Sequence, residues 1–216
     1  MESLKNEGNM IKNVILDVGR VLVAWEPAEA MEQKLGMDKE TVKKLCSVLF
    51  DSGAWNETDR GVMSNAELLQ FFVSKAPECE KEITLFWNHV NAAICQFDYA
   101  REWISAMKEA GYGVYILSNY GDWTYQKTRE EALNFVELVD GALFSYEVKL
   151  IKPDAAIYHA LLERFDLKAE ECVFLDDLPA NIEAARKAGI TGIVFEGLEK
   201  ALESLKALGV EISYNV

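Results

Sequence analysis

The residues in this chain whose types suit chemistry stand at the ends of apolar runs. Asp17 closes "NVILD", Ser118 and Asn119 close "GVYILSN", and Asp176 and Asp177 close "CVFLDD". Lys152 follows the run "GALFS" and directly precedes Pro153. In an open parallel sheet, ligands bind beyond the carboxyl ends of the strands, so these groups are candidates for one common site. Three carboxylates at one edge repel each other and persist most naturally around a hard cation. Mg²⁺ suits them, because it prefers oxygen ligands and is held by one or two carboxylates together with phosphate oxygens. Taken alone, Asp177 reads as an N-cap for "DLPANIEAARKAG", with Pro179 in the first turn; the doublet, together with Asp17, reads as a metal site. A hydroxyl (Ser118), an amide (Asn119), an ammonium (Lys152) and the backbone N–H groups of the "SNYGD" turn suit a phosphate group.

Positioning these groups requires a parallel sheet. From Phe97 onward, short runs rich in Val, Ile and Phe alternate with amphipathic stretches, a pattern of βα units. Strands are expected at "VILD", "GVYILSN", "GALFS", "CVFLDD" and "TGIVF". Helices are expected at about Tyr99 to Glu109, Trp123 to Phe135, Asp154 to Phe165, Ala180 to Lys187 and Leu198 to Leu208. The stretch from Pro27 to Gln96 shows helical periodicity with no convincing β run, and "MDKE" and "MSNAE" act as helix start signals. The fold class is therefore α/β, a Rossmann-like parallel sheet flanked by helices. A helical cap (27–97) is inserted after the first strand of a core formed by 1–26 and 98–216.

With 36 acidic and 22 basic side chains in 216 residues, the net charge is −14. Such a surface repels nucleic-acid phosphates and anionic headgroups, so neither nucleic acid nor a membrane is an expected partner. An anionic ligand then needs a locally positive site. The four cysteines form no CxxC pair and read as reduced. The polar N-terminus "MESLKNEGNM" has no apolar leader, and the expected setting is cytoplasmic, as a monomer or homodimer.

Asp17 in "ILDVGRVL", Ser118 in "VYILSNYGD", Lys152 in "SYEVKLIKPD" and Asp176-Asp177 in "CVFLDDLPANIEAARKAGI" resemble, in order, the four motifs of the haloacid dehalogenase superfamily, over nearly the whole chain. Within it the chain is similar to the bacterial sugar-phosphatase branch that includes α-D-glucose-1-phosphate phosphatase, whose first motif also carries Gly where most phosphatases have a second Asp. The resemblance implies that Asp17 attacks phosphorus to form an aspartyl-phosphate. It implies Mg²⁺ on the Asp17 carboxylate, the Gly19 carbonyl and Asp177, with Asp176 bound directly or through water, and Ser118 and Lys152 on the phosphoryl oxygens. The expected substrate is a small phosphorylated metabolite, a sugar phosphate above others. A metal-independent 2-haloacid dehalogenase and a non-catalytic phosphosugar-binding or partner-binding protein remain as alternatives.

Three departures from the family pattern matter. Gly19 cannot donate a proton, and losing a general acid typically costs about 10² to 10⁴ in rate. A sugar 1-phosphate, with its more acidic anomeric hydroxyl, is the substrate least affected. Arg20 replaces Gly or Asn, and it either adds positive charge near the phosphate or points to solvent or to a carboxylate of the cap. Lys149 replaces a frequent Gly. In the cap, "GAWNETDRG" (53–61) is the expected specificity loop, with Trp55 and Arg60 as candidate substrate contacts.

Overall fold

The computed structural model describes residues 10–214, so the N-terminal stretch read above for a leader lies, apart from Met10, outside the described residues. In chain order, β1 (Asn13–Leu16) and β2 (Val23–Trp25) lead into helices α1 (Pro27–Glu29), α2 (Lys39–Cys46), α3 (Asn56–Arg60), α4 (Asn65–Lys75) and α5 (Glu80–Asn88). After the short return strand β3 (Ile94–Gln96) come α6 (Ala100–Glu109), β4 (Gly113–Ser118), α7 (Asp122–Thr128) and β5 (Gly141–Phe144). The rest comprises α8 (Ser145–Val148), α9 (Ala155–Arg164), β6 (Cys172–Asp176), α10 (Pro179–Lys187), β7 (Thr191–Val194) and α11 (Leu198–Ala207). The five strands expected from the apolar runs form one sheet in the order β5-β4-β1-β6-β7, all parallel.

β1 lies at the centre, with Leu16 opposite Ile116 of β4 and Leu175 of β6. Asp17, one residue on, therefore emerges between two other strand ends. The chain leaves β1 towards β4 and β5 on one side and reaches β6 and β7 on the other, so the crevice beyond β1 is the topological switch point. Val14 and Leu16 join Val114, Ile116, Val173 and Leu175 under α6 and α11, through Trp103, Met107 and Leu205. Ile15 points the other way, with Leu117, Leu143 and Phe174, onto Ile157, Tyr158 and Leu161 of α9 and Ile182 of α10. Strands covered on both faces must be apolar throughout, so a polar side chain is admitted only where the strand ends.

A second apolar cluster, including Met31, Leu45, Phe72, Phe86 and Trp87, holds the helical module together. Both start signals operate as read. The Asp38 carboxylate accepts the Glu40 and Thr41 N–H groups at 3.0 Å, and Ser64 with Glu67 forms a capping box at α4. Three features differ from expectation. β2 and β3 pair antiparallel where the module meets the sheet body; three residues are too few to show a period of two. The stretch 53–61 is not an open loop, since Asn56–Arg60 winds into α3 and stops at Gly61, φ +62°. The helix expected over 123–135 ends at Thr128, because Leu133 and Phe135 are both buried and side chains two apart lie on opposite sides of a helix.

α3 meets the sheet body at close range. A Cβ on Gly121 would lie 2.4 Å from Thr58 Cγ2 and 3.0 Å from the Thr58 carbonyl oxygen. Gly121→Ala is therefore expected to overpack this contact at about 1–3 kcal/mol, read as a lower urea midpoint. An unchanged midpoint would mean that α3 can shift away without cost.

Candidate active site

Asp17 is fixed by its own backbone, whose N–H donates to the Leu175 carbonyl at 2.9 Å, and its side chain is nearly buried. The Lys152 ammonium lies 2.8 Å from Asp17 Oδ1, 2.6 Å from Asp176 Oδ2 and 3.0 Å from the Leu117 carbonyl. An ammonium has three N–H donors, and these three acceptors use them all. Asp176 is wholly buried, and it also accepts from Asn181 Nδ2 at 2.9 and 3.0 Å and from the Leu178 N–H at 2.8 Å. The N-cap expected at Asp177 falls instead on Leu178, with no side-chain bond, and the Asp177 carboxylate lies 3.6 Å from Arg20 Nη1.

Burial pushes the Asp17 carboxyl up to about 6; Lys152 opposes the rise and the nearby Asp176 charge adds to it. Burial alone would lower the Lys152 ammonium, but Asp17 and Asp176 outweigh it and hold Lys152 above its ordinary value. Asp177 is raised by burial and by Asp176, with Arg20 and Lys152 acting against the rise. Asp17, Asp176 and Asp177 each offer an oxygen within 4.8 Å of the others. One ammonium cannot neutralise three carboxylates at this spacing, and the all-oxygen donor set fits a hard divalent cation. The Gly19 carbonyl faces the same cavity and accepts no backbone hydrogen bond among the described residues.

The cavity above these groups measures about 310 Å³. Asp17, Gly19, Ser118, Asn119, Lys152 and Asp177 line its floor, Arg20 its mouth, and Val23, Trp25, Trp55, Asn56, Asp59, Ile94 and Tyr120 its walls. Several expected contacts are corrected. The Asn119 amide is not free for phosphate: its Nδ2 donates to the Lys152 carbonyl at 3.0 Å and its Oδ1 accepts the Lys152 N–H at 2.7 Å, clamping that residue in place. Arg60 does not line the cavity, because a side chain one position beyond Asp59 is turned about 100° round the helix; it lies 3.4 Å from Glu57 instead. Trp55 reaches the cavity but stacks on Phe72 and sits against Trp25 and Phe50. Arg20 faces a core carboxylate rather than one from the helical module.

Arg20 (φ +58°) and Lys149 (φ +61°) both adopt the left-handed backbone region, at positions where the family pattern has Gly, and for the first also Asn. Such a conformation costs a non-glycine residue on the order of 1–3 kcal/mol. Lys149 recovers part of this through Nζ bonds to the Tyr146 carbonyl, 2.8 Å, and to the Gly61 carbonyl at the end of α3. Sequence reasoning did not single out Asp59 or Ser145. The Ser145 hydroxyl donates to the Asp59 carbonyl at 2.6 Å and accepts the Tyr120 N–H at 2.9 Å. The Asp59 carboxyl is pushed up to about 7, chiefly by burial, with Lys152 lowering it and Asp17 raising it.

A family model described as haloacid dehalogenase-like hydrolase matches residues 12–189. The sesquiterpene phosphatase astK of Aspergillus oryzae is 24% identical over 92% of this chain and 97% of its own length. A phosphorylated carbohydrates phosphatase of Thermotoga maritima is 36% identical over a shorter stretch, 37% of this chain and 36% of that protein. The structure of a HAD family enzyme from Bacteroides thetaiotaomicron, in complex with magnesium and inorganic phosphate, superposes with a TM-score of 0.66 at 23% identity. The superposition covers 85% of this chain and 93% of that one, and is a likeness of fold. The match runs from the strand that delivers Asp17 through the helix that follows Asp177, and the chain belongs to the haloacid dehalogenase-like hydrolases.

Proposed function

We propose that this hydrolase is a Mg²⁺-dependent phosphatase that acts on a small phosphorylated metabolite through an aspartyl-phosphate on Asp17. The observation that carries the reading is the Asp17 carboxylate, paired with Lys152 at 2.8 Å on the floor of a cavity where two further carboxylates converge. Asp17, the Gly19 carbonyl and Asp177 would hold the metal. When bound, Mg²⁺ neutralises charge so that an anionic nucleophile can meet an anionic phosphoryl group. Asp176 has its oxygens committed to Lys152, Asn181 and Leu178, and braces the site from behind.

Lys152 keeps Asp17 ionised and oriented. With all three of its donors engaged, it leaves the phosphoryl oxygens to the Ser118 hydroxyl and to the cation. Asn119 acts on Lys152 rather than on substrate. The helical module, residues 27–97, serves as the cap that closes the cavity and selects the alcohol.

A sugar phosphate fits the cap side, where the Trp25 and Trp55 indoles and the Asn56 amide offer a stacking face and hydrogen bonds. A second reading is favoured by the apolar share of the same wall. Val23, Ile94 and Leu178 would equally receive the phosphate ester of an apolar alcohol, the class named for the Aspergillus relative. The preference for a sugar 1-phosphate rested on Gly19 having no carboxyl, and Asp59 on the facing wall removes the force of that argument.

Phosphate release should be assayed with p-nitrophenyl phosphate, sugar 1- and 6-phosphates and a prenyl monophosphate, each with Mg²⁺ and with a chelator. Turnover is expected only with metal, and Asp17→Asn is expected to lower it by several orders of magnitude. Halide release from a 2-haloacid without metal would replace this reading with a dehalogenase, and binding without turnover would replace it with a non-catalytic protein. Asn119→Ala is expected to lower kcat by up to about 10²-fold through misplacement of Lys152, with KM little changed. A rise in KM alone would instead make Asn119 a substrate contact.

A further inference from the structure

We propose that Asp59, carried by α3 of the helical module, is the general acid and base of this site, replacing the carboxyl that Gly19 lacks; this rests on the phosphatase reading above. Four observations converge on it. Asp59 lines the cavity that also holds Asp17, Gly19 and Lys152, and it comes from the module, the side from which the alcohol part of a substrate is contacted. Its carboxylate makes no hydrogen bond or ion pair among the described residues, whereas Glu57 and Arg60 on the same helix lie 3.4 Å apart as a pair. No structural bond therefore occupies it.

The position of Asp59 is set by the sheet body. Ser145, at the end of β5, bridges the Asp59 carbonyl and the Tyr120 N–H just beyond β4, and Lys149 bonds the Gly61 carbonyl that ends α3. The missing Cβ at Gly121 lets Thr58 approach the same loop. These ties hold Asp59 in register with Ser118 and Asn119, as proton transfer to a reacting oxygen demands. Finally, a Cβ built on Gly19 meets no atom within 4 Å, so nothing fills the space between the Asp17 loop and the facing wall.

An ionised Asp59 would repel a phosphate dianion. A protonated one can donate, and burial raises its carboxyl to about 7, where both forms are populated near neutral pH. In the first step an Asp17 oxygen bonds to phosphorus and the P–O bond to the alcohol breaks. The electron pair of that bond goes to the alcohol oxygen, which takes the Asp59 proton and leaves as neutral ROH. In the second step the Asp59 carboxylate takes a proton from the water that attacks phosphorus. The Asp17–phosphorus bond breaks, and phosphate leaves with Asp17 ionised and Asp59 protonated again.

The test is kcat/KM on a series of monoesters whose leaving alcohols become steadily less acidic, from p-nitrophenyl to simple alkyl, for wild type, Asp59→Asn and the double variant Asp59→Asn with Gly19→Asp. Asp59→Asn should scarcely change p-nitrophenyl phosphate hydrolysis, which also shows that the variant is folded, and should lose about 10² to 10⁴ on the alkyl esters. The double variant should recover much of that loss, since Gly19 has room for a side chain. Equal losses on every ester, or a rise in KM with an unaltered leaving-group dependence, would overturn the proposal and make Asp59 a substrate contact. No Mg²⁺-dependent phosphate release by wild type from any ester would overturn the phosphatase reading and this proposal with it, whereas wild-type turnover with unaffected Asp59→Asn would overturn this proposal alone.

Discussion

The ammonium of Lys152, shared between Asp17 and Asp176 at the dry end of the sheet, is the interaction on which the site depends. Taking an ion out of water costs several kcal/mol even after the protein relaxes, and the cost is tolerable only when every charged group is paired and hydrogen-bonded. Here the condition is met from several elements at once. Leu117 of β4 supplies the third acceptor, Asn119 fixes the Lys152 backbone, and Asn181 of α10 with the Leu178 N–H completes Asp176. Such a cluster survives only if β1, β4 and β6 end at the same level, so the register of the sheet and the chemistry of its edge constrain one another.

The two halves of the molecule bring different things to the cavity. The sheet edge contributes charge and hydrogen-bond donors in fixed positions, as a reacting phosphoryl group needs. The helical module contributes indole faces and apolar side chains, with Asp59 among them, and these touch the part of a substrate that differs from one ester to another. On a chain of net charge −14, the cations at this site are few. Lys152 is spent internally and Arg20 leans towards Asp177, so attraction of an anion falls largely to a bound metal ion.

The sheet was readable because burial on both faces forces unbroken apolar runs, and such runs make the acids at their ends conspicuous. Asp17, Asp176, Asp177, Ser118 and Lys152 were found by that contrast. Features that depend on short elements were not readable. Three-residue strands such as β2 and β3 carry no period, and the five residues of α3 cannot reveal that Asp59 faces inward while Arg60 turns away. Asn119 was identified by type but misread in role, because only coordinates show its amide closing on the Lys152 backbone rather than on a ligand. The end of α7 was lost because the apolar pair at Leu133 and Phe135 breaks the helical face while leaving the composition unchanged.

The central claim is that Asp17, held by Lys152, is the group that accepts phosphorus. The most direct measurement is mass spectrometry of peptides from enzyme quenched in acid during turnover with Mg²⁺ and a phosphate monoester. The account predicts the mass of one phosphoryl group, labile to hydroxylamine, on the peptide that contains Asp17, and its absence from Asp17→Asn. Steady turnover with no phosphorylated peptide, or with the group on a different residue, would contradict it.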